Sequence, residues 1–154
     1  MLKNIDPLLT PELLKILAEM GHEDTIVLAD ANFTAQRFRQ STTAQTVIQL
    51  PGVSLLRAAQ AVLSVMPLGL VSEQPVAYMH ITDSSPDHRN TVQQAVVDLV
   101  MADPAHSAIA PQAVERFAFY ERAKNAFVIV QTGELAPFAN FIFKKGVINA
   151  YAGA

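Results

Sequence analysis

The feature that most constrains this chain is the alternation of two apolar periods along it. Segments with apolar residues on one helical face exchange with short, continuous, β-branched runs, a pattern that belongs to sheets covered by helices. Thr10 supplies an N-cap, Pro11 suits a first helical position and Glu12 favours the positive helix end. Leu13, Leu14, Ile16, Leu17 and Met20 form the apolar face, and Gly21 is the expected stop. A strand is expected over 25–28, then a polar loop holding Gln36, Arg37, Arg39 and Gln40. A strand over 46–50 stops at Pro51-Gly52, and Ser54 caps a helix carrying Leu55, Leu56, Ala59, Val62 and Leu63. Next come a strand over 75–81 and a turn and cap at Asp83-Ser84-Ser85-Pro86, leading into a helix through Val92, Val96, Leu99 and Val100. A loop over 102–111, a short strand over 114–117 and a helix over 119–125 follow. Strands over 127–132 and 138–143 close the chain, with Gly133 and Pro137 in the turn between them. That last connection is too tight for a crossover, so the sheet must be mixed. The expectation is an α/β fold: one layered domain over 1–154 with a mixed central sheet flanked by helices.

Composition narrows the function classes. The 154 residues suffice for one domain with a core. Eleven basic against 14 acidic side chains give a net charge of -3, which argues against a nucleic-acid binder. The absence of cysteine excludes disulfides, thiol catalysis and thiolate metal sites. Asp6 and Pro7 break any signal-peptide core, and the apolar stretch 61–71 is too short to span a bilayer, so a cytoplasmic protein with no membrane contact is expected. There is no glycine-rich phosphate loop and no histidine pair with metal-ligand spacing. Only 16% of residues are charged while 51% are hydrophobic, against about 25% charged in ordinary soluble domains. Burial against copies of itself is the simplest way to cover such a surface. The alternative is a monomer with a neutral surface of Ser, Thr, Gln and Asn.

Several residues have the chemistry of a site. His22 lies just past a helix C-terminus, where it serves either as a cation favouring the dipole or as a general acid or base. Asp30 ends a strand, the place where open α/β sheets bind ligands, and also a common place for an Asx turn. It lies five residues beyond Thr25, roughly 17 Å along an extended strand. His22 and Asp30 therefore serve different parts of one site, or a neighbouring subunit brings them together. Arg116, Tyr120, Glu121 and Arg122 form a polar cluster around Phe117, Ala118 and Phe119 that reads either as sugar or phosphate donors or as a solvated helix face. Asn140, on a strand of aromatic residues, needs a polar partner. Lys144 and Lys145 are expected to end that strand in solvent.

Three stretches carry a family likeness. MLKNIDPLLTPELLKILAEMGHEDTIVLADANF (1–33) resembles the opening of the L-fucose mutarotase / D-ribose pyranase family. RFAFYERAKNAFVIVQTGE (116–134) and PFANFIFKKGV (137–147) resemble its closing part, and the Arg116–Ala123 stretch favours the fucose branch. The resemblance implies the fold of that family and a cytoplasmic isomerase acting on free reducing monosaccharides, with no cofactor and no metal. It implies that His22 is the proton donor and that Asp30, Arg116 and the triplet Phe138, Ala139, Asn140 bind substrate, with Tyr120 offering a further hydroxyl. It also implies a ring assembly, typically a decamer of two stacked pentamers, with sites at subunit interfaces. Phe138 replaces the family's usual tyrosine, and Asn32 stands where the fucose branch often has histidine. The implied reaction is anomer interconversion by acid-base ring opening: His22 donates to the ring oxygen while Asp30 holds a hydroxyl or assists the opposite proton movement. The competing readings are a D-ribose pyranase and a non-catalytic monosaccharide-binding or transport-accessory protein.

Overall fold

The computed structural model describes residues 2–148; residue 1 and residues 149–154 of the expected domain lie outside the described residues. Six strands form one sheet: β1 (Thr25–Ala29), β2 (Val47–Leu50), β3 (Val76–Met79), β4 (Gln112–Val114), β5 (Val128–Thr132) and β6 (Phe141–Lys144). Five helices cover it: α1 (Pro11–Glu19), α2 (Ala35–Phe38), α3 (Leu55–Leu63), α4 (Thr91–Ala102) and α5 (Arg116–Lys124). The strand order is β2-β5-β1-β6-β3-β4. The pairs β1–β5, β2–β5 and β3–β4 are parallel, while β6 runs antiparallel to both β1 and β3.

The sheet is mixed, as the sequence implies, but β5 and β6 are not a hairpin. Their connection passes over the end of β1, which lies between them. The close pass depends on Gly133: a Cβ there would meet the Gly52 backbone at 2.5 Å. The period-2 alternation of strands divides the core between two faces. Ile26, Leu28, Val128, Val130, Phe141 and Phe143 pack under α1, α3 and α4. Val27, Ala29, Ile129, Met79 and Ile142 face α2 and α5 through Phe33, Phe38, Phe119 and Ala123. Among the described residues no helix is long and apolar enough to cross a membrane.

Several boundaries differ from the sequence expectations for local reasons. The first helix stops at Glu19 with Met20 extended, and it is Glu23, not Gly21, that takes the left-handed conformation in the following turn (φ 70°). The expected polar loop at 36–40 is α2 followed by a 3-10 turn, because Ala35 and Phe38 are buried on the sheet. The cap of α4 is Asn90 rather than the Asp83–Pro86 turn: Asn90 Oδ1 accepts from Gln93 N and Gln93 Oε1 from Asn90 N, a reciprocal capping box. The strand expected over 114–117 is β4, ending at Val114; Glu115 caps α5 by accepting from Phe117 N and Ala118 N, so Arg116 and Phe117 are helical. The last strand starts at Phe141, not Phe138, because Phe138 has φ 63° and cannot continue a strand. Lys144 and Lys145 do not end in solvent. Lys144 Nζ donates to Glu73 O at 2.9 Å, and Lys145 Nζ donates to Leu17 O at 2.7 Å and to Met20 O.

Candidate functional site

Asp30 follows β1 directly, so its position is set by the strand. Its Oδ1 accepts from Asn32 N at 2.9 Å and its carbonyl from Phe33 N at 3.2 Å, which turns the chain at once. β6 reaches the same edge from the opposite direction and delivers Asn140, the residue before it. Asp30 N donates to Asn140 Oδ1 at 2.9 Å and Asn140 Nδ2 donates to Asp30 Oδ2 at 2.8 Å. The pair is buried, with Asp30 3% and Asn140 2% exposed. Burial pushes the Asp30 carboxyl above the ordinary carboxylate range, and the nearby Glu134 charge adds to the rise. The hydrogen bonds from Asn140, Asn32 and Phe33 act in the opposite sense.

The loop before Asn140 is sewn to α4. Gln93, fully buried, donates Nε2 to Phe138 O and to Met79 O, each at 2.8 Å. Asn90 Nδ2 donates to Pro137 O at 3.0 Å. The two residues of the capping box therefore also hold the left-handed Phe138 in place. Sequence reading missed Gln93 as a site residue, although the Asn-x-x-Gln spacing was there to identify the cap.

Arg116 and Tyr120 enter from α5. Tyr120 packs edge-on against Phe33 and Phe38, with ring centroids 5.6 and 5.4 Å away. The Arg116 guanidinium lies 5.6 Å from the Tyr120 ring centre and 5.1 Å from that of Phe117. Arg116 makes no ion pair among the described residues. A cation at the positive end of a helix is unfavourable, so helix stability does not account for it. Asp30, Asn32, Phe33, Met79, Arg116, Tyr120, Pro137, Phe138 and Asn140 line one cavity of about 140 Å³. Ala139 is buried beside it and does not line it. A carboxylate, an amide and a guanidinium around aromatic walls suit a neutral polyol: acceptors and donors for hydroxyls, and faces for C–H groups. The cavity is smaller than the roughly 300–1,000 Å³ of sites that enclose a small molecule.

His22 lies at the other end of β1. It is not the cation at the end of α1; that place belongs to Lys145, whose ammonium bonds the last carbonyls of the helix. His22 Nε2 donates to Glu73 Oε1 at 2.8 Å. His22 borders a different cavity of about 490 Å³, whose apolar walls include Leu17, Met20, Val65, Pro67, Val147 and Ile148. Asp30 and His22 thus border separate cavities. Two larger depressions, about 590 and 760 Å³, hold scattered charges but not the Asp30–Asn140 pair. No cluster of three or more His, Cys, Asp or Glu converges as a metal site among the described residues.

Comparison with known proteins places the chain in a family. The L-fucose mutarotase of Glaesserella parasuis serovar 5 is 42% identical over 150 residues, 96% of each chain. The fucose mutarotase of Homo sapiens is 40% identical over 149 residues, 96% of this chain and 94% of that one. The crystal structure of the fucose mutarotase of Streptococcus pneumoniae in complex with L-fucose superposes with a TM-score of 0.84 at 33% identity, covering 96% of this chain and 100% of that one. The model of the RbsD / FucU transport protein family matches residues 3–148. With its fold, its sequence and nearly its whole length in agreement, the chain belongs to the RbsD / FucU transport protein family.

Proposed function

We propose that this protein is a sugar mutarotase that interconverts the anomers of L-fucose or a closely related aldose. The observation that carries the reading is the buried, reciprocally bonded Asp30–Asn140 pair opening into the cavity shared with Arg116 and Tyr120. Relatives at 40% and 42% identity are named fucose mutarotases, and a structural neighbour holds L-fucose. Asp30, Arg116 and Asn140 orient the sugar hydroxyls, and Phe138 and Tyr120 supply faces for the ring. His22 is the proton donor. It protonates the ring oxygen as the bond to the anomeric carbon breaks, while the proton of the anomeric hydroxyl leaves toward Asp30. The carbonyl face turns and the ring closes again. A carboxyl raised by burial is a better base than an ordinary one, and acid-base help of this kind is worth about 100- to 10,000-fold.

In one chain the donor and the binding cavity lie at opposite ends of β1. The reading therefore places the protein in a ring, a decamer of two stacked pentamers, in which one copy's His22 faces another copy's Asp30 cavity. The small cavity and the exposed Val147 and Ile148 beside His22 support this arrangement. A cytoplasmic location belongs to the same reading. Phe138 favours one competing function. It lacks the hydroxyl expected at this position, and a chain that has lost a donor to the sugar would bind without catalysing. Proton NMR saturation transfer between anomers separates the two, with L-fucose, D-ribose, D-galactose and L-rhamnose run side by side. Acceleration of L-fucose exchange that disappears in His22→Ala is expected. Saturable binding with no acceleration for any sugar contradicts a mutarotase, and faster ring-size exchange of D-ribose points to a pyranase.

A further inference from the structure

The contact of His22 with Glu73 joins residues 51 positions apart, and Glu73 is held before His22 reaches it. Its Oε2 accepts from Leu70 N at 2.7 Å across a short 3-10 turn, and its carbonyl accepts from Lys144 Nζ at 2.9 Å. Gly69 leaves room for the carboxylate: a Cβ there would lie 2.5 Å from Glu73 Oε2. The Glu73 side chain is 19% exposed against 47% for His22. The Leu70 bond first, and His22 second, hold the Glu73 carboxyl below its ordinary range, so it is an ionised acceptor near neutrality. As an exposed ion pair the contact adds little to stability. A fixed acceptor aimed at one imidazole nitrogen has a different effect: it decides which nitrogen carries the proton.

We infer that Glu73 is the positioning residue of His22, locking the imidazole with its proton on Nε2 so that Nδ1 is the nitrogen that exchanges protons with the sugar. The inference rests on His22 being the proton donor of the proposed mutarotase. An ionised carboxylate only accepts, so Nε2 must donate. In the imidazolium, Nε2–H stays on Glu73 and Nδ1–H is delivered to the ring oxygen. The neutral ring left behind already has its lone pair on Nδ1, so the reverse transfer needs no tautomer change. The arrangement has the logic of a base oriented by a third group.

Glu73→Gln tests this without removing the turn. The amide oxygen still accepts from Leu70 N, while the amide NH₂ now faces Nε2 and requires it to accept. The expected result, read from ¹⁵N shifts of the His22 ring, is a switch of the neutral form from Nε2–H to Nδ1–H. L-Fucose anomer exchange slows at least tenfold while the sugar Kd stays within threefold. Gly69→Ala, which displaces the same carboxylate by crowding Oε2, slows exchange in the same way and guards against a folding artefact in the first variant. Retention of the Nε2–H form and of the wild-type exchange rate in both variants overturns the role of Glu73. If His22→Ala itself keeps full exchange, the mutarotase assignment of His22 fails, and that failure is distinct from the first.

Discussion

The two ends of β1 are built in opposite ways. At the Asp30 end, partners come from β6, α4 and α5, the polar groups are buried, and their hydrogen bonds join distant positions, 110 apart for Asp30 and Asn140 and 45 apart for Gln93 and Phe138. At the His22 end one imidazole stands nearly half exposed, bonded to a single carboxylate and bordered by exposed aliphatic residues. The first end is finished within one chain and is suited to holding a ligand in a fixed orientation. The second is left open, as the proposed role of His22 as proton donor requires. Substitutions at the Asp30 end should therefore disturb binding and stability together, and substitution of His22 itself should disturb the reaction alone.

The largest effect expected is on catalysis. His22→Ala should slow L-fucose anomer exchange by about 100-fold or more, with the sugar Kd within threefold and stability within about 0.5 kcal/mol. Asp30→Ala should lose both exchange and binding. Titration calorimetry alongside saturation transfer reads the two, and equal loss of binding in both variants would erase the contrast between the ends. The next effect is on stability. Gln93→Leu removes the donor to Phe138 O and Met79 O inside the core and should cost about 2–4 kcal/mol in urea unfolding. It should also weaken sugar binding, because the loop carrying Phe138 and Asn140 loses its tie to α4.

A smaller effect concerns pH. The native state holds the Asp30 proton more tightly than the unfolded chain does, because burial raises its carboxyl. That contribution to stability is fully present below the unfolded value, near 3.8, and is lost as pH rises through the raised native value. Wild type should therefore lose stability relative to Asp30→Asn on going from about pH 4 to 7. Denaturation curves for the two at several pH values check this, and a difference independent of pH would contradict the burial of the charge. The smallest effect belongs to Phe138→Tyr, which restores a hydroxyl at the cavity. It should tighten L-fucose binding by no more than about tenfold, the worth of one hydrogen bond, and leave the melting temperature unchanged.

Much of the frame was legible because local chemistry decides it. Thr10-Pro11 and Ser54 each open a helix where the sequence places one, and the β-branched run before Asp30 is β1. The errors fall where tertiary packing overrides a local pattern. Aromatic residues at 138–143 read as a continuous strand, yet Gln93 holds Phe138 in a left-handed turn. Val114 to Phe117 reads as a short strand, yet Glu115 caps a helix inside it. Asp30 was legible as an Asx-turn residue at a strand end, and the need of Asn140 for a partner was legible too. That each satisfies the other was not, because nothing local links positions 30 and 140. Nor did sequence reveal that Lys145, not His22, closes α1, since that bond forms only when β6 pairs with β1.

The central claim is that one copy's open end completes another copy's closed end, and co-assembly of two inactive variants tests it most directly. Chains carrying His22→Ala and chains carrying Asp30→Ala would be co-expressed with different tags and purified through both. Saturation transfer would then be measured on L-fucose. The account predicts that mixed assemblies regain a substantial part of wild-type exchange, because some interfaces pair an intact His22 with an intact Asp30. Mixed assemblies as inactive as either parent would contradict it.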